Sequence, residues 1–310
     1  MILDVQPKIF RHKLPFDPHP FVSEAFTSLN ALKVDRIVRL VQDLDKVPIG
    51  LVAGIRDGVL LSPFSAPFGG FHFKDDDIYP KAIEGFTNEL LEYIHNENFT
   101  GLQITLPPDI YSQSFNAKVV NTFIRLGLTM SAPEITNWVD LRDFEGACTH
   151  PDSRTYYNQS VKNGLKFSLV SDLEEMQLIY NLVADNRARM KRSIRMTFND
   201  LIETSKILPT DYFKVVSLTG KIVAGAIFYR AHKEIPFAVF WGDTVEGRPF
   251  RAMDFLTINL WNFYKKLGFR FIDLGISTES GIPNEGLLRF KETHECRSSL
   301  RYSFSWVTNE

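Results

Sequence analysis

Cysteine is almost absent from this chain: Cys148 and Cys296 are its only two. Two thiols cannot staple a disulfide framework, and no CxxC or Cys/His spacing suggests a zinc site or another metal. A long hydrophobic run is also missing; no stretch approaches the roughly 18 apolar residues of a membrane helix. The start carries Pro7, Lys8, Arg11, His12 and Lys13 with no apolar segment behind them, so no signal peptide is expected and the reading places the chain in the cytoplasm. An excess of one charge is lacking too. The formal net charge is −2, which excludes a chain-wide basic field for non-specific nucleic-acid binding while leaving room for local basic clusters.

What is present is a globular composition, with 44% hydrophobic and 23% charged residues over 310 positions. That length suits two lobes of roughly 150 residues each. The 26 phenylalanines supply large cores or an aromatic-lined groove.

An amphipathic stretch runs around Leu32–Leu44. Segment 47–62 reads as a hairpin, because two apolar runs flank Arg56-Asp57-Gly58 and Asp-Gly is the preferred tight-turn dipeptide. Segment 62–71, with two prolines, cannot continue a ladder. Ile83, Phe86, Leu90, Leu91 and Ile94 recur at helical spacing, followed by a strand at 102–106, a helix at 117–126 and a strand at 135–141.

The second half repeats the order. A strand at 165–170 leads to a helix capped by Ser171-Asp172, and Thr197 opens another. Strands follow at 212–218, 222–229 and 235–241, the last apolar on both faces as a central strand should be. A helix at 251–267 buries Met253, Leu256, Leu260, Phe263, Tyr264 and Leu267; a strand at 269–274, a short helix at 284–293 and a closing strand at 300–306 complete the chain. The offset of roughly 170 residues points to a duplicated lobe.

Four features of the second half carry a resemblance: SRTYYNQSVKNG (153–164) ahead of its first strand, Trp241-Gly242-Asp243 leaving the central strand, FRFIDLGIS (269–277) and NEGLLRFKE (284–292). In this order they resemble the tandem-GNAT group that contains the Fem peptidyltransferases and BioF2-like acetyltransferases. The resemblance covers about 150–306 and reaches the first half through architecture and the SPFSAPFGG element. It implies an α/β fold of the α+β mixed-sheet kind, with two GNAT-like lobes at 1–150 and 151–310, the second holding the donor. It further implies an N-acyltransferase in which an amine attacks an activated acyl group directly. The donor is acyl-CoA or a carrier-linked thioester, acting as cosubstrate with no tightly bound cofactor. The alternatives are an aminoacyl-tRNA-dependent Fem-like transfer to cell-wall precursors, which makes tRNA a partner, and a GNAT-like scaffold that binds without turnover. Two departures stand beside this: loop 244–252 holds one glycine where a GNAT domain has its Gly-rich pyrophosphate loop, and no coiled-coil insertion interrupts the second lobe.

Acyl transfer needs a polarised carbonyl, a neutral amine, a protonated leaving group and held phosphates. On the resemblance, the seam between 237–242 and 271–275 meets the acyl oxygen. Arg248 and Arg251, at the start of helix 251–267, would bind donor phosphate, since a helix start is positive and carries unpaired amides, or would simply solvate the loop. Asp243 at the seam's mouth could bind or deprotonate the amine, or simply form a turn. Asp273 would orient the site or cap the following loop. Lys291, with Arg289, would pair with phosphate or a leaving group, or be solvated. Trp241 lines the donor site, and Asn284 is an N-cap first and a ligand contact second. Arg187, Arg189, Lys191, Arg192 and Arg195 form the strongest basic cluster; on the resemblance it borders the acceptor or donor mouth and would meet a phosphate-bearing partner, while cations at a helix end are also favourable for the dipole alone. His294 and Cys296 lie close in sequence, but no acidic third member is placed to make a nucleophile system.

Overall fold

A computed structural model describes residues 1–42, 49–74, 76–192 and 194–308. It divides the chain into two compact units. The first comprises Met1–Ile135, Ser280–Ile282 and Ser299–Glu310; the second comprises Thr136–Glu279 and Pro283–Ser298.

The first unit opens with β1 (Ile2–Asp4), helices α1 (Pro7–Lys13) and α2 (Glu24–Leu29), then β2 (Arg36–Gln42), β3 (Gly50–Arg56), β4 (Val59–Ser62) and β5 (Phe71–His72). The β3–β4 turn has Asp57 and Gly58 both at positive φ, 52° and 75°, the primed geometry that an Asp-Gly pair supports at least cost. Within the expected amphipathic stretch, Leu32 and Lys33 belong to a 3-10 turn and Arg36–Gln42 form strand β2; residues 43 and 44, like residues 47 and 48 of the expected hairpin, lie outside the described residues. Helix α3 (Pro80–Asn96) follows, with Ile83, Phe86, Leu90 and Ile94 fully buried on one face. Then come β6 (Gly101–Thr105), α4 (Gln113–Arg125) and β7 (Thr129–Met130).

The second unit begins at β8 (Glu134–Asp140) and α5 (Pro151–Lys162), then β9 (Lys166–Val170), α6 (Leu173–Arg189), α7 (Phe198–Ser205), β10 (Thr210–Val216), β11 (Ile222–His232), β12 (Ile235–Asp243) and α8 (Ala252–Lys266). After β13 (Phe271–Ile276), β14 (Thr278–Glu279) and β15 (Ile282–Pro283) come α9 (Glu285–Thr293) and β16 (Arg297–Arg301), and then β17 (Ser303–Val307), which belongs to the first unit. The caps expected from sequence are made: Asp172 accepts from the Glu175 amide, and Thr197 forms a reciprocal capping box with Asp200.

Each unit is a mixed sheet flanked by helices. In the first sheet the order is β1-β2-β3-β4-β6-β17-β7, with β4 and β6 parallel; in the second it is β16-β8-β13-β12-β11-β10-β9, with β12 and β13 parallel. Two departures from the sequence pattern matter. The segment that reads as one closing strand at 300–306 is two strands: β16 ends at Arg301 in the second sheet, and β17 enters the first between β6 and β7. Likewise β8, expected to end the first lobe, pairs with β13 in the second. Residues 136–150 therefore belong to the second unit and 299–310 to the first, where the sequence pattern suggests one boundary at 150/151. The other departure is α5. Its sequence, PDSRTYYNQSVK, reads as an irregular charged approach, because the residues it buries are Ser153 and Ser160 and not an apolar stripe. Pro151 at its first position starts it, and Tyr157 stacks on Phe255 of α8.

The second core is aromatic. Trp261 and Tyr264 of α8 are fully buried with Phe213 and Phe228. The Tyr264 hydroxyl donates to Asp211 at 3.1 Å, and Arg230 holds the same carboxylate with two bonds of 2.9 Å, so these buried polar groups are satisfied. Tyr264 is thus a packing residue, as its place on the stripe implies.

Candidate functional site

Strand β12 pairs with β11 along its length, its Asp243 opposite Ala224. On its other side, among the described residues, it meets β13 at one register pair, Phe237 against Asp273. Beyond that point no further register pair joins the two parallel strands. A cleft of about 760 Å³ within the second unit is lined by the ends of β12 and α6, by the starts of α5 and α8 and by α9 along its length, with no residue of β13 in the described lining.

Asp243 stands at the end of β12 and is buried. The Asn186 side chain donates to its Oδ1 at 3.0 Å and to its carbonyl at 2.9 Å, and Arg189 donates to the same carbonyl. Arg248 Nε lies 3.6 Å from Oδ1. Burial raises the carboxyl above the usual carboxylate range, and Arg248 and Arg189 pull it partly back. Gly242 permits this approach of α6, since a Cβ there would sit 2.7 Å from the Asn186 side chain.

Arg251 takes the left-handed conformation, φ 59°, immediately before α8, and its side chain does not cap the helix. An arginine so placed carries backbone strain of order 1 kcal/mol. Its guanidinium lies 3.5 Å above the Tyr156 ring, a cation–π contact that fixes it beside the helix start. Arg187, Arg192 and Arg289 also line the cleft, making five arginines with Arg248 and Arg251 against Asp152, Asp243 and Asp254 among the described residues. Arg187 lies 5.5 Å over Phe240, and burial with neighbouring Arg192 lowers its pKa. Trp241 and Asn284 are in the lining as well. Trp241 packs edge-on against Phe290, and Asn284 caps α9 by accepting from the Leu287 amide at 3.0 Å.

The β12–α8 connection spends its own amides. Gly247 N–H donates to Thr244, Arg248 to Val245, Phe250 to Gly247, Arg251 to Arg248 and Ala252 to Gly247. Recognition of an anion here falls to guanidiniums more than to loop backbone.

Asp273 and Lys291 are absent from the lining. Asp273 is fully buried and accepts from the Gly275 amide at 2.8 Å within β13, where the strand's register with β8 shifts. Lys291 is 1% exposed, so the expectation of a solvated or phosphate-facing cation does not describe it. Its ammonium donates to the carbonyls of Leu274, Gly275 and Ile276 at 3.0, 3.0 and 3.2 Å, tying α9 to β13 as that strand leaves β12. Burial pushes the ammonium down to about 8. The penalty of keeping it charged is therefore fully present below about pH 8, and stability is regained as pH rises towards the ordinary value of 10.5. Lys291→Met should destabilise the chain by about 2–3 kcal/mol at neutral pH, because three carbonyls lose their donor. The difference from wild type should change between pH 8 and 10; denaturant melts of both proteins across that range, showing a constant difference, would contradict this.

Sequence reasoning missed Asp254. This carboxylate belongs to the first turn of α8, and its Oδ1 lies 3.2 Å from His294 Nε2, both residues lining the cleft. The signal was an acid inside the apolar run AMDFLTINL. Cys296 Sγ, by contrast, points at the His294 carbonyl at 3.6 Å, and burial pushes its thiol far up, so no Cys-His nucleophile forms.

Neither a model of a protein family nor any curated protein matches the sequence. Solved structures do. FemX superposes with a TM-score of 0.71 at 11% identity, covering 100% of this chain and 98% of that one. L-PGS from Bacillus licheniformis gives 0.61 at 14%, covering 99% and 93%. A tandem GNAT protein from the clavulanic acid biosynthesis pathway gives 0.53 at 10%, covering 100% and 99%. The chain has the tandem GNAT-like fold that these proteins share.

Proposed function

We propose that the chain is an acyltransferase that moves an acyl group from a phosphate-bearing activated donor to an amine, in the cleft of the second unit. The observation that carries this reading is the conjunction, in one cleft, of the end of β12, unpaired with β13 past Phe237, with an arginine-rich helix start. Backbone amides of β12 past Phe237 would polarise the acyl carbonyl, Arg248 and Arg251 would hold the donor's phosphate, and Asp243 would receive the acceptor's amine at the mouth. Trp241 and Asn284 would flank the donor.

The first donor class is an acyl thioester of coenzyme A or of a carrier protein. A second class, an aminoacyl-tRNA as in Fem-like transfer, is favoured by a specific feature: the loop where a coenzyme A pyrophosphate would sit uses its amides internally, while five arginines face the cleft. Guanidiniums suit a nucleotide backbone and its terminal base without a glycine loop.

Incubating the chain with radiolabelled acetyl-CoA, and separately with aminoacyl-tRNA, in the presence of amine acceptors such as lysine and amino-sugar precursors distinguishes the classes. Transfer of label to amine nitrogen from one donor is the expected result. Binding of both donors without transfer would leave a non-catalytic ligand-binding scaffold in its place.

A further inference from the structure

We propose that Asp254 and His294 are a proton-holding pair for the transfer, giving one proton to the leaving group and taking one from the acceptor amine. This rests on the acyl-transfer reading above.

The geometry starts from the ring. His294 Nδ1 lies 2.7 Å from the Phe290 carbonyl, with Thr293 Oγ1 at 3.3 Å; that hydroxyl donates to the same carbonyl at 3.0 Å. A carbonyl oxygen can only accept, so Nδ1 carries its hydrogen towards it. Nε2 then faces Asp254 Oδ1 at 3.2 Å. A hydrogen bond between a ring nitrogen and a carboxylate oxygen needs one more proton, held by either partner. The pair therefore stores a proton that a neutral ring beside a bare carboxylate would not have.

Its surroundings keep it in place. His294 stacks on Phe290 with ring centres 4.2 Å apart, and its carbonyl accepts from the Trp261 indole at 2.9 Å. Both residues line the cleft, the histidine side chain 2% exposed and the Asp254 side chain 10%, so the carboxylate is the more accessible member. Asp254 lies in the first turn of α8, where the helix dipole favours negative charge once the proton has left. The titratable groups that share the cleft are His150, Asp152 and Tyr156 from α5 and its start, Arg187 and Arg192 from the end of α6 and beyond, Asp243 from β12, Arg248 and Arg251 before α8 and Arg289 from α9. His150 is engaged by Arg289 at 3.3 Å and Asp243 by Asn186, which leaves the Asp254–His294 pair as a separate proton store. Burial, with the charges of Glu295 and then Asp254 adding to it, raises the Cys148 thiol to about 12 and removes it as a competing nucleophile.

The chemistry balances without a further reactant. The amine lone pair forms the carbon–nitrogen bond, and the bond from acyl carbon to leaving sulfur or oxygen breaks with its electron pair on that atom. The pair's proton goes to the leaving atom, and a proton from the new nitrogen returns to the pair. Asp254 exchanges the proton; His294 positions and charges it.

Asp254→Asn keeps a hydrogen-bonding group of the same shape on His294 and removes the store. In the full chain, turnover with acetyl-CoA or aminoacyl-tRNA should fall by about 10²–10⁴-fold, the usual contribution of acid–base catalysis. With p-nitrophenyl acetate, whose leaving group needs no proton, the loss should shrink to less than about tenfold. The ¹⁵N resonance of His294 Nε2, assigned through His294→Gln, should shift in the Asn variant towards a bare or singly donating nitrogen. An equal loss with both donor types would mark a structural role and overturn the proposal, as would an unchanged Nε2 resonance. Wild-type protein that transfers from no donor would fell the acyl-transfer reading, and this role with it; the resonance distinguishes that failure from the absence of a shared proton.

Discussion

Phe304→Ala is expected to destabilise the first unit by about 3–5 kcal/mol, the range for truncating a buried phenylalanine. Phe304 is 1% exposed in the first core and meets Phe123 edge-on at 5.2 Å. Its strand, β17, pairs with β6 through Ser303–Val307 and with Met130 of β7. Losing the ring leaves a cavity under the strand that joins β6 to β7 in the sheet order. Chain position alone would assign residue 304 to the second half, so the substitution separates sheet membership from sequence order. Amide exchange should quicken first along Gly101–Thr105, while Thr210–Val216 and Ile222–His232 keep their protection. Faster exchange confined to the second sheet would contradict the strand's placement.

Replacing Arg248 and Arg251 together by Ala should weaken donor binding by about 2–4 kcal/mol, roughly 30- to 1,000-fold, since charge-assisted hydrogen bonds contribute about 1.5–3 kcal/mol each and do not add. The loss should shrink as salt rises, because screening already weakens the wild-type attraction. Turnover at saturating donor should change little, for these groups would hold ground state and transition state alike. Stability should move by about 1 kcal/mol or less. Arg251 gives up its contact with Tyr156, and Ala inherits the same left-handed backbone without added strain.

Much of the fold is legible in the sequence because its signals are local. Asp57-Gly58 dictates its turn, Thr197 and Asp172 dictate their caps, and the apolar run 235–241 becomes the central strand β12. Sheet membership is not legible, because a period of two says which residues share a face and nothing about which sheet receives the strand. Thus LRYSFSW (300–306) reads as one strand although it serves two sheets. Helix α5 escapes because serines, not an apolar stripe, form its buried face.

The site divides the same way. Arg248, Arg251, Trp241, Asp243 and Asn284 stand out by their places at element ends, and they share one cleft. Lys291 is harder to place, because lysine is usually solvated. Its spacing from Leu287 and His294 nonetheless puts all three on one face of α9 and its C-cap, and that periodicity marks the lysine as inward-facing. The Asp254–His294 contact spans forty positions, and no local pattern encodes it.

The most direct test of the account is calorimetric titration of the wild-type chain and the Arg248→Ala/Arg251→Ala double variant with coenzyme A thioester and with aminoacyl-tRNA. The account predicts that at least one donor binds the wild type, that its affinity falls with salt, and that the folded double variant binds it at least roughly thirtyfold more weakly. Equal affinity in the two proteins, or no binding of either donor to the wild type, would contradict a phosphate-bearing donor in the cleft of the second unit.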